Sequence, residues 1–335
     1  MRFPLLRVVC SAVLWFGLEL QARADASQEM PYIPGKAQPA PLELPKPTAA
    51  PALPRPKPVP PSSERSDACG TIEHPECSLF WLPALSLVLP GLGQAWDGRT
   101  WWPYSLAGAG GIGALTYATR LDPQLDPVKI PGDSRPAQLW AIGNAFFTAA
   151  GGLSVYETYR YRTQERMHFK GAKFRPVKDL LLAPVHFESA LHWPVIAELL
   201  VAGALSGLRI AGDGHAFAGY LPRDAGTTAV VSLGAGIGEE PLFRGWMMSY
   251  LEHRWDWNPW LANGTQAVLF GLAHGGIDLR ILFGFWDGLM AQHNDYDLVD
   301  NVFTHTWWDI MTITAQYATS RHPKAALITS PVFAF

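Results

Sequence analysis

The sequence predicts an all-α, polytopic integral membrane helical bundle of about seven or eight transmembrane helices, preceded by a signal peptide and a disordered proline-rich linker. Three observations predict it. Apolar stretches near the length of a bilayer span recur from residue 79 to residue 318. Charged residues make up 16% of the chain against 48% hydrophobic, and 14 residues are Trp, which concentrates at membrane interfaces. The N-terminus has the layout of an export signal. Mean hydropathy is only +0.05 because a polar front segment dilutes the apolar part. A net charge of -3 and a pI of about 6.4 give no electrostatic case for nucleic acid.

Arg2 and Arg7 supply the positive end of the signal, residues 8–18 its apolar run, and Ala22-Arg23-Ala24 a small-residue cleavage site. This delimits residues 1–24 as signal peptide; an uncleaved N-terminal anchor is the rival reading. Residues 25–66 form the linker. Prolines recur there between Lys, Ala and Glu, so the segment buries no core and is expected to be extended. With Cys10 in the signal, the mature chain keeps Cys69 and Cys77. Their exported position permits a small disulfide loop, and a pair of cysteines alone leaves the question open.

Residues 67–180 are expected to hold three spans and a basic loop. The first, 79–96, is interrupted by Pro83 and by Pro90-Gly91-Leu92-Gly93. The second, 101–118, is rich in Gly and Ala, which permits close helix packing. The third is 137–156. The loop after it carries Arg160, Arg162, Arg166, Lys170, Lys173, Arg175 and Lys178, opposed only by Glu165 until Asp179. The positive-inside rule makes this loop cytoplasmic, in agreement with an exported N-terminus followed by three spans. A nucleic-acid or anionic-lipid patch is the rival reading.

Residues 181–335 are expected to form the core. Its apolar segments are 191–211, carrying Glu198, then 225–250, 260–274, 279–290 and 299–318. Segment 279–290 is short for a span, and Asp287 makes it less apolar than its neighbours. Three polar motifs fall in these segments in order: Glu239-Glu240-Pro241-Leu242-Phe243-Arg244, Phe270-Gly271-Leu272-Ala273-His274 and His305-Thr306-Trp307-Trp308-Asp309. An ionisable group in hydrocarbon costs roughly 2.5–3.5 kcal/mol on insertion scales, so such a set reads as a functional site.

Residues four apart share a helix face. That pairs Glu240 with Arg244, Phe270 with His274, and His305 with Asp309. Glu239 points about 100° away from Glu240, so one carboxylate can meet the cation while the other faces a cavity. A carboxylate and a neutral imidazole that share a water can deprotonate it for attack on a carbonyl. Glu239 with His274 suits that role, and His305 with Asp309 suits stabilisation of the oxyanion. A metal site is disfavoured. There is no H-E-x-x-H helix, and Arg244 one turn from Glu240 would repel a cation. No cofactor is implied.

The three motifs together resemble the CAAX protease and bacteriocin-processing (CPBP) family of intramembrane glutamate peptidases, over roughly residues 190–320. The family pattern is Glu-Glu-x-x-x-Arg, Phe-x-x-x-His and His-x-x-x-Asn or Asp. The resemblance implies metal-independent peptide hydrolysis inside the membrane. Glu239 would be general base with His274 on the same water, Arg244 and Glu240 would organise the site, and His305 and Asp309 would sit at the oxyanion. Asp309 replaces the Asn of the prenyl-processing members, and an ionised Asp cannot donate a hydrogen bond. The implied partners are a membrane-associated or lipidated peptide or protein substrate and the lipid bilayer. The implied location is a bacterial inner membrane, with the linker exported. Two other readings use the same residues: a catalytically inactive membrane scaffold or immunity protein, and a proton-coupled transporter in which Glu and His relay protons.

Overall fold

The computed structural model describes residues 79–125, 134–166, 172–217, 219–276 and 279–319. These fall in one unit, Pro56–Phe335, and every regular element among them is a helix. The expected signal peptide and linker, together with Cys69 and Cys77, lie outside the described residues.

The expected span 79–96 is broken into α1 (Trp81–Val88) and α2 (Leu92–Trp96). The cause is local. Gly91 takes a φ of 97°, a left-handed conformation that glycine tolerates. A Cβ there would also lie 2.7 Å from the Trp101 carbonyl oxygen. The corner is tied down by the Gly91 N–H donating to Ser154 Oγ at 2.8 Å and by Ser105 Oγ donating to the Pro90 carbonyl at 2.6 Å. Two further helices follow, α3 (Trp102–Leu121) and α4 (Arg135–Arg160), and they pack on each other. Their closest approach is at Gly111 and Gly143, where a Cβ on either would meet the other's carbonyl oxygen at 2.6 and 2.8 Å. Ser134 caps α4 by accepting from the Ala137 N–H.

The basic stretch after α4 finds most of its acids elsewhere in the chain. Arg162 pairs with Asp97 at 2.8 Å, both side chains almost fully buried, and Arg160 pairs with Glu157 at 2.7 Å. Lys173 meets Asp295 at 2.9 Å and Arg175 meets Asp297 at 2.7 Å. Glu157 and Glu165 are local partners of Arg160, whereas Asp97, Asp295 and Asp297 are brought in by folding.

The remaining helices are α5 (Val177–Leu182), α6 (Trp193–Ala211), α7 (Pro222–Glu240), α8 (Ser249–Arg254), α9 (Pro259–Ala273), α10 (Leu279–His293) and α11 (Val299–Thr319). Central among them is α7, which packs against α4 on one side and α11 on the other. Its glycines make both approaches possible. A Cβ on Gly238 would sit 2.7 Å from the Thr148 carbonyl of α4, and one on Gly236 would sit 2.9 Å from the Val302 carbonyl of α11. Helix α11 also packs on α6, and α9 on α10.

The outside of the bundle is apolar. Leu106, Leu200, Leu208 and Leu282 are each about two-thirds exposed, and Trp102, Trp193 and Trp260 are half exposed or more. By length and hydropathy alone, α6 is the one described helix apolar enough to cross a membrane. The helices that line the interior carry buried polar residues, which lower their average; α7 alone buries Thr227, Thr228, Ser232, Glu239 and Glu240.

Candidate active site

Glu239, Glu240 and Arg244 have no solvent exposure. They lie where α7 changes pitch. Pro241 has no N–H to give to the carbonyl four residues back, and the chain continues through Pro241–Met248 in wider i→i+5 turns before α8. Arg244 Nη1 donates to Glu240 Oε1 at 2.9 Å. Its Nη2 donates to the Gly284 carbonyl at 3.2 Å and to Asp287 Oδ2 at 3.4 Å, both on α10. The guanidinium lies 4.5 Å from the Phe270 ring centroid. One cation thus holds α7, α9 and α10 together around two carboxylates.

His274 owes its position to the end of α9. Gly275 takes a φ of 86° and closes the helix. The Gly275 N–H donates to Leu272 and the Gly276 N–H to Gly271, the paired bonds of a Schellman cap. The Phe270 carbonyl then accepts from His274 Nδ1 at 2.7 Å. A carbonyl only accepts, so Nδ1 carries the proton, and the neutral ring presents a lone pair at Nε2. That Nε2 lies 3.2 Å from Glu239 Oε2. Neither Glu239 oxygen has a hydrogen-bond partner among the described residues. Two acceptors side by side match the two protons of one water.

His305 is oriented by the other carboxylate. Its Nδ1 lies 2.6 Å from Glu240 Oε1, the oxygen that already accepts from Arg244. Its Nε2 is left facing Glu239 Oε2 at 3.9 Å and Asp309 Oδ2 at 3.7 Å. Those gaps are too long for direct hydrogen bonds and long enough for an intervening atom. Phe270, 2% exposed, has its ring centroid 4.2 Å from that of His274 and 6.0 Å from that of His305, and so spaces the two imidazoles. Glu239, His274, His305 and Asp309 all share the wall of a cavity of about 630 Å³, otherwise mostly apolar.

All six residues singled out from the motifs are therefore gathered in one place. The pairing differs from the expected one in a single respect: Glu240 holds His305 as well as Arg244. Sequence reasoning also missed three buried polar residues. Asp287 is Arg244's second carboxylate. Asn301 Nδ2 donates to the Asp287 carbonyl at 2.7 Å, and Gln266 Nε2 donates to the Gly284 carbonyl at 2.7 Å. A charged residue in an otherwise apolar segment was the available signal for Asp287.

Glu240, Asp287 and His305 each place one potential ligand atom within 4.8 Å of the others. Arg244 is bonded to both carboxylates of that set, so a divalent ion there would face a buried guanidinium. The donor set does not fit a metal without displacing Arg244.

Residues 222–311 match the family described as Type II CAAX prenyl endopeptidase Rce1-like. The family resemblance read from the motifs holds over that segment, which begins with α7 and ends within α11. Members of that family are membrane proteases, and the apolar exterior of this chain is in keeping with the match. No curated protein and no solved structure gives a significant match.

Proposed function

We propose that this chain is a metal-independent intramembrane endopeptidase in which Glu239 activates a water held with His274. The observation that carries the reading is the fixed tautomer of His274, whose Nε2 lone pair sits 3.2 Å from a carboxylate without other hydrogen bonds. Glu239 takes a proton from the water as its oxygen attacks the peptide carbonyl carbon. The carbonyl oxygen gains negative charge, which His305 Nε2, in its protonated form, stabilises. Asp309 Oδ2 lies 3.7 Å from that Nε2 on the same helix face and helps to orient the ring. The C–N bond then breaks, and Glu239 returns its proton to the leaving amine. Glu240 and Arg244 neutralise each other and hold His305 in register.

The apolar exterior, with Trp102, Trp193 and Trp260 exposed on it, supports a multi-pass location. The signal-like pattern of the N-terminal sequence and the basic stretch after α4 support a bacterial inner membrane with the linker outside. The substrate class that fits is a membrane-associated or lipidated peptide or protein.

The test compares membrane and secreted peptides from cells carrying wild type, Glu239→Ala or His274→Ala at equal membrane levels. A new terminus present only with wild type is expected. Identical peptide profiles in all three would sink the peptidase reading.

A further inference from the structure

We propose that Glu198 selects the substrate by pairing with a cationic group, an ammonium or guanidinium, carried on an apolar chain. This rests on the peptidase reading above and adds a charge requirement to it. Glu198 lies on the inward stripe of α6 with Val195, Ala202 and Ser206. It is 7% exposed, and neither of its oxygens has a hydrogen-bond partner among the described residues. It shares the wall of the cavity that holds Glu239, His274, His305 and Asp309. The chemistry of the peptidase site makes no use of it.

The charge balance around the cavity explains what such a group is for. Three carboxylates line it, Glu198, Glu239 and Asp309, against one guanidinium, Arg280. Arg280 Nη1 donates to the His274 carbonyl at 2.6 Å, and Arg244 outside the wall is engaged by Glu240 and Asp287. Glu239 and Asp309 lie close to His274 and His305, the site's own proton carriers. Glu198 has no comparable partner among the described residues. A buried carboxylate without a partner is costly, and a cation arriving with the substrate offsets that cost. The rest of the wall suits an apolar chain, with Trp140, Leu205, Leu282, Phe283 and Trp286 along it. The ligand chemistry is thus a basic side chain or terminal ammonium within an apolar stretch.

Three of the cavity's Trp residues, Trp140, Trp286 and Trp308, provide a reporter. The full-length protein in nanodiscs of uncharged lipid is titrated with dodecylammonium, and in parallel with dodecanol, following Trp fluorescence. Saturable binding of the amine by wild type is expected. Glu198→Gln should weaken it by roughly tenfold or more, Glu198→Asp should retain part of it, and dodecanol should not distinguish the variants. Equal amine affinity for wild type and Glu198→Gln overturns the proposal. So does loss of amine binding in Glu239→Gln but not in Glu198→Gln, or wild-type binding of dodecanol as tight as that of the amine. The peptide comparison separates this from the peptidase reading. Termini that depend on Glu239 but are unchanged by Glu198→Gln sink the cation requirement alone. Absence of any Glu239-dependent terminus sinks the peptidase itself.

Discussion

Replacing Arg244 by Met should destabilise the protein more than any other single change at the site. Among the described residues, the guanidinium supplies Glu240 with one of its two hydrogen bonds and Asp287 with its only side-chain donor, since Asp287 Oδ1 has none. All three side chains are fully buried, so water cannot take over. Met matches Arg244 in reach and polarity to the Phe270 ring only in its apolar part, and it leaves two carboxylates facing each other's charge. Breaking a buried pair from one side costs about 3–5 kcal/mol. At ~2–4 °C per kcal/mol for a chain of this size, the unfolding midpoint should fall by on the order of 10 °C. Thermal unfolding of the purified protein in detergent, followed by helical circular dichroism, measures it. The triple variant Arg244→Met, Glu240→Gln, Asp287→Asn removes the stranded charges and should recover more than half of the loss. Arg244→Lys should fall between, because one ammonium cannot span both carboxylates as a planar fork does. An Arg244→Met protein that unfolds at the wild-type temperature would refute this account, as would a triple variant less stable than the single one.

Gly275→Val forces a β-branched residue into the left-handed region that closes α9. The strain is about 1–2 kcal/mol, and cleavage should fall by far more than stability, because His274 loses the helix end that sets its ring. A unfolding midpoint and a cleavage rate measured on the same preparation would separate the two effects; loss of stability with full activity would contradict the cap argument. Arg162→Ala removes the buried bridge to Asp97 and should lower the midpoint by several degrees. Lys173→Ala removes a solvent-exposed bridge to Asp295 and should leave the midpoint unchanged at any salt concentration. Equal effects from the two substitutions would mean that burial does not set the value of these pairs.

Much of the site was legible because its spacing is local. Glu240 and Arg244, Phe270 and His274, and His305 and Asp309 are each one helical turn apart, so their shared faces follow from helix geometry. The separation of Glu239 from Glu240 follows in the same way. What spacing cannot carry is contact between distant segments. The bond from His305 to Glu240 spans 65 positions and that from Arg244 to Asp287 spans 43. Asp287 therefore read as an irregularity in an apolar segment instead of as a partner. The same limit applies to the basic stretch, whose distant acids lie at Asp97, Asp295 and Asp297. The all-helical fold was legible from the apolar segments. The break at Gly91 depends on a corner packed against Ser105 and Ser154, and its Pro-Gly pair was the only local sign.

Hydropathy understates this bundle for a physical reason tied to the site. A helix that must present Glu239 and Glu240 inward, and that needs glycine to approach α4 and α11, gives up apolar volume on both counts. Its average falls although its surroundings stay apolar. Helix α6 has only Glu198 and Ser206 as buried polar residues, and it alone among the described helices is long and apolar enough to cross a membrane. The low average of α7 and the concentration of charge in it are therefore one fact. The charges persist because each strong donor is placed against a specific acceptor: Arg244 and His305 both serve Glu240, which leaves Glu239 as the carboxylate without a hydrogen bond. Two adjacent, chemically identical residues acquire different roles from the number of donors around each. That difference depends on Arg244 staying with Glu240, and Asp287 and the Gly284 carbonyl hold the far end of the guanidinium that keeps it there.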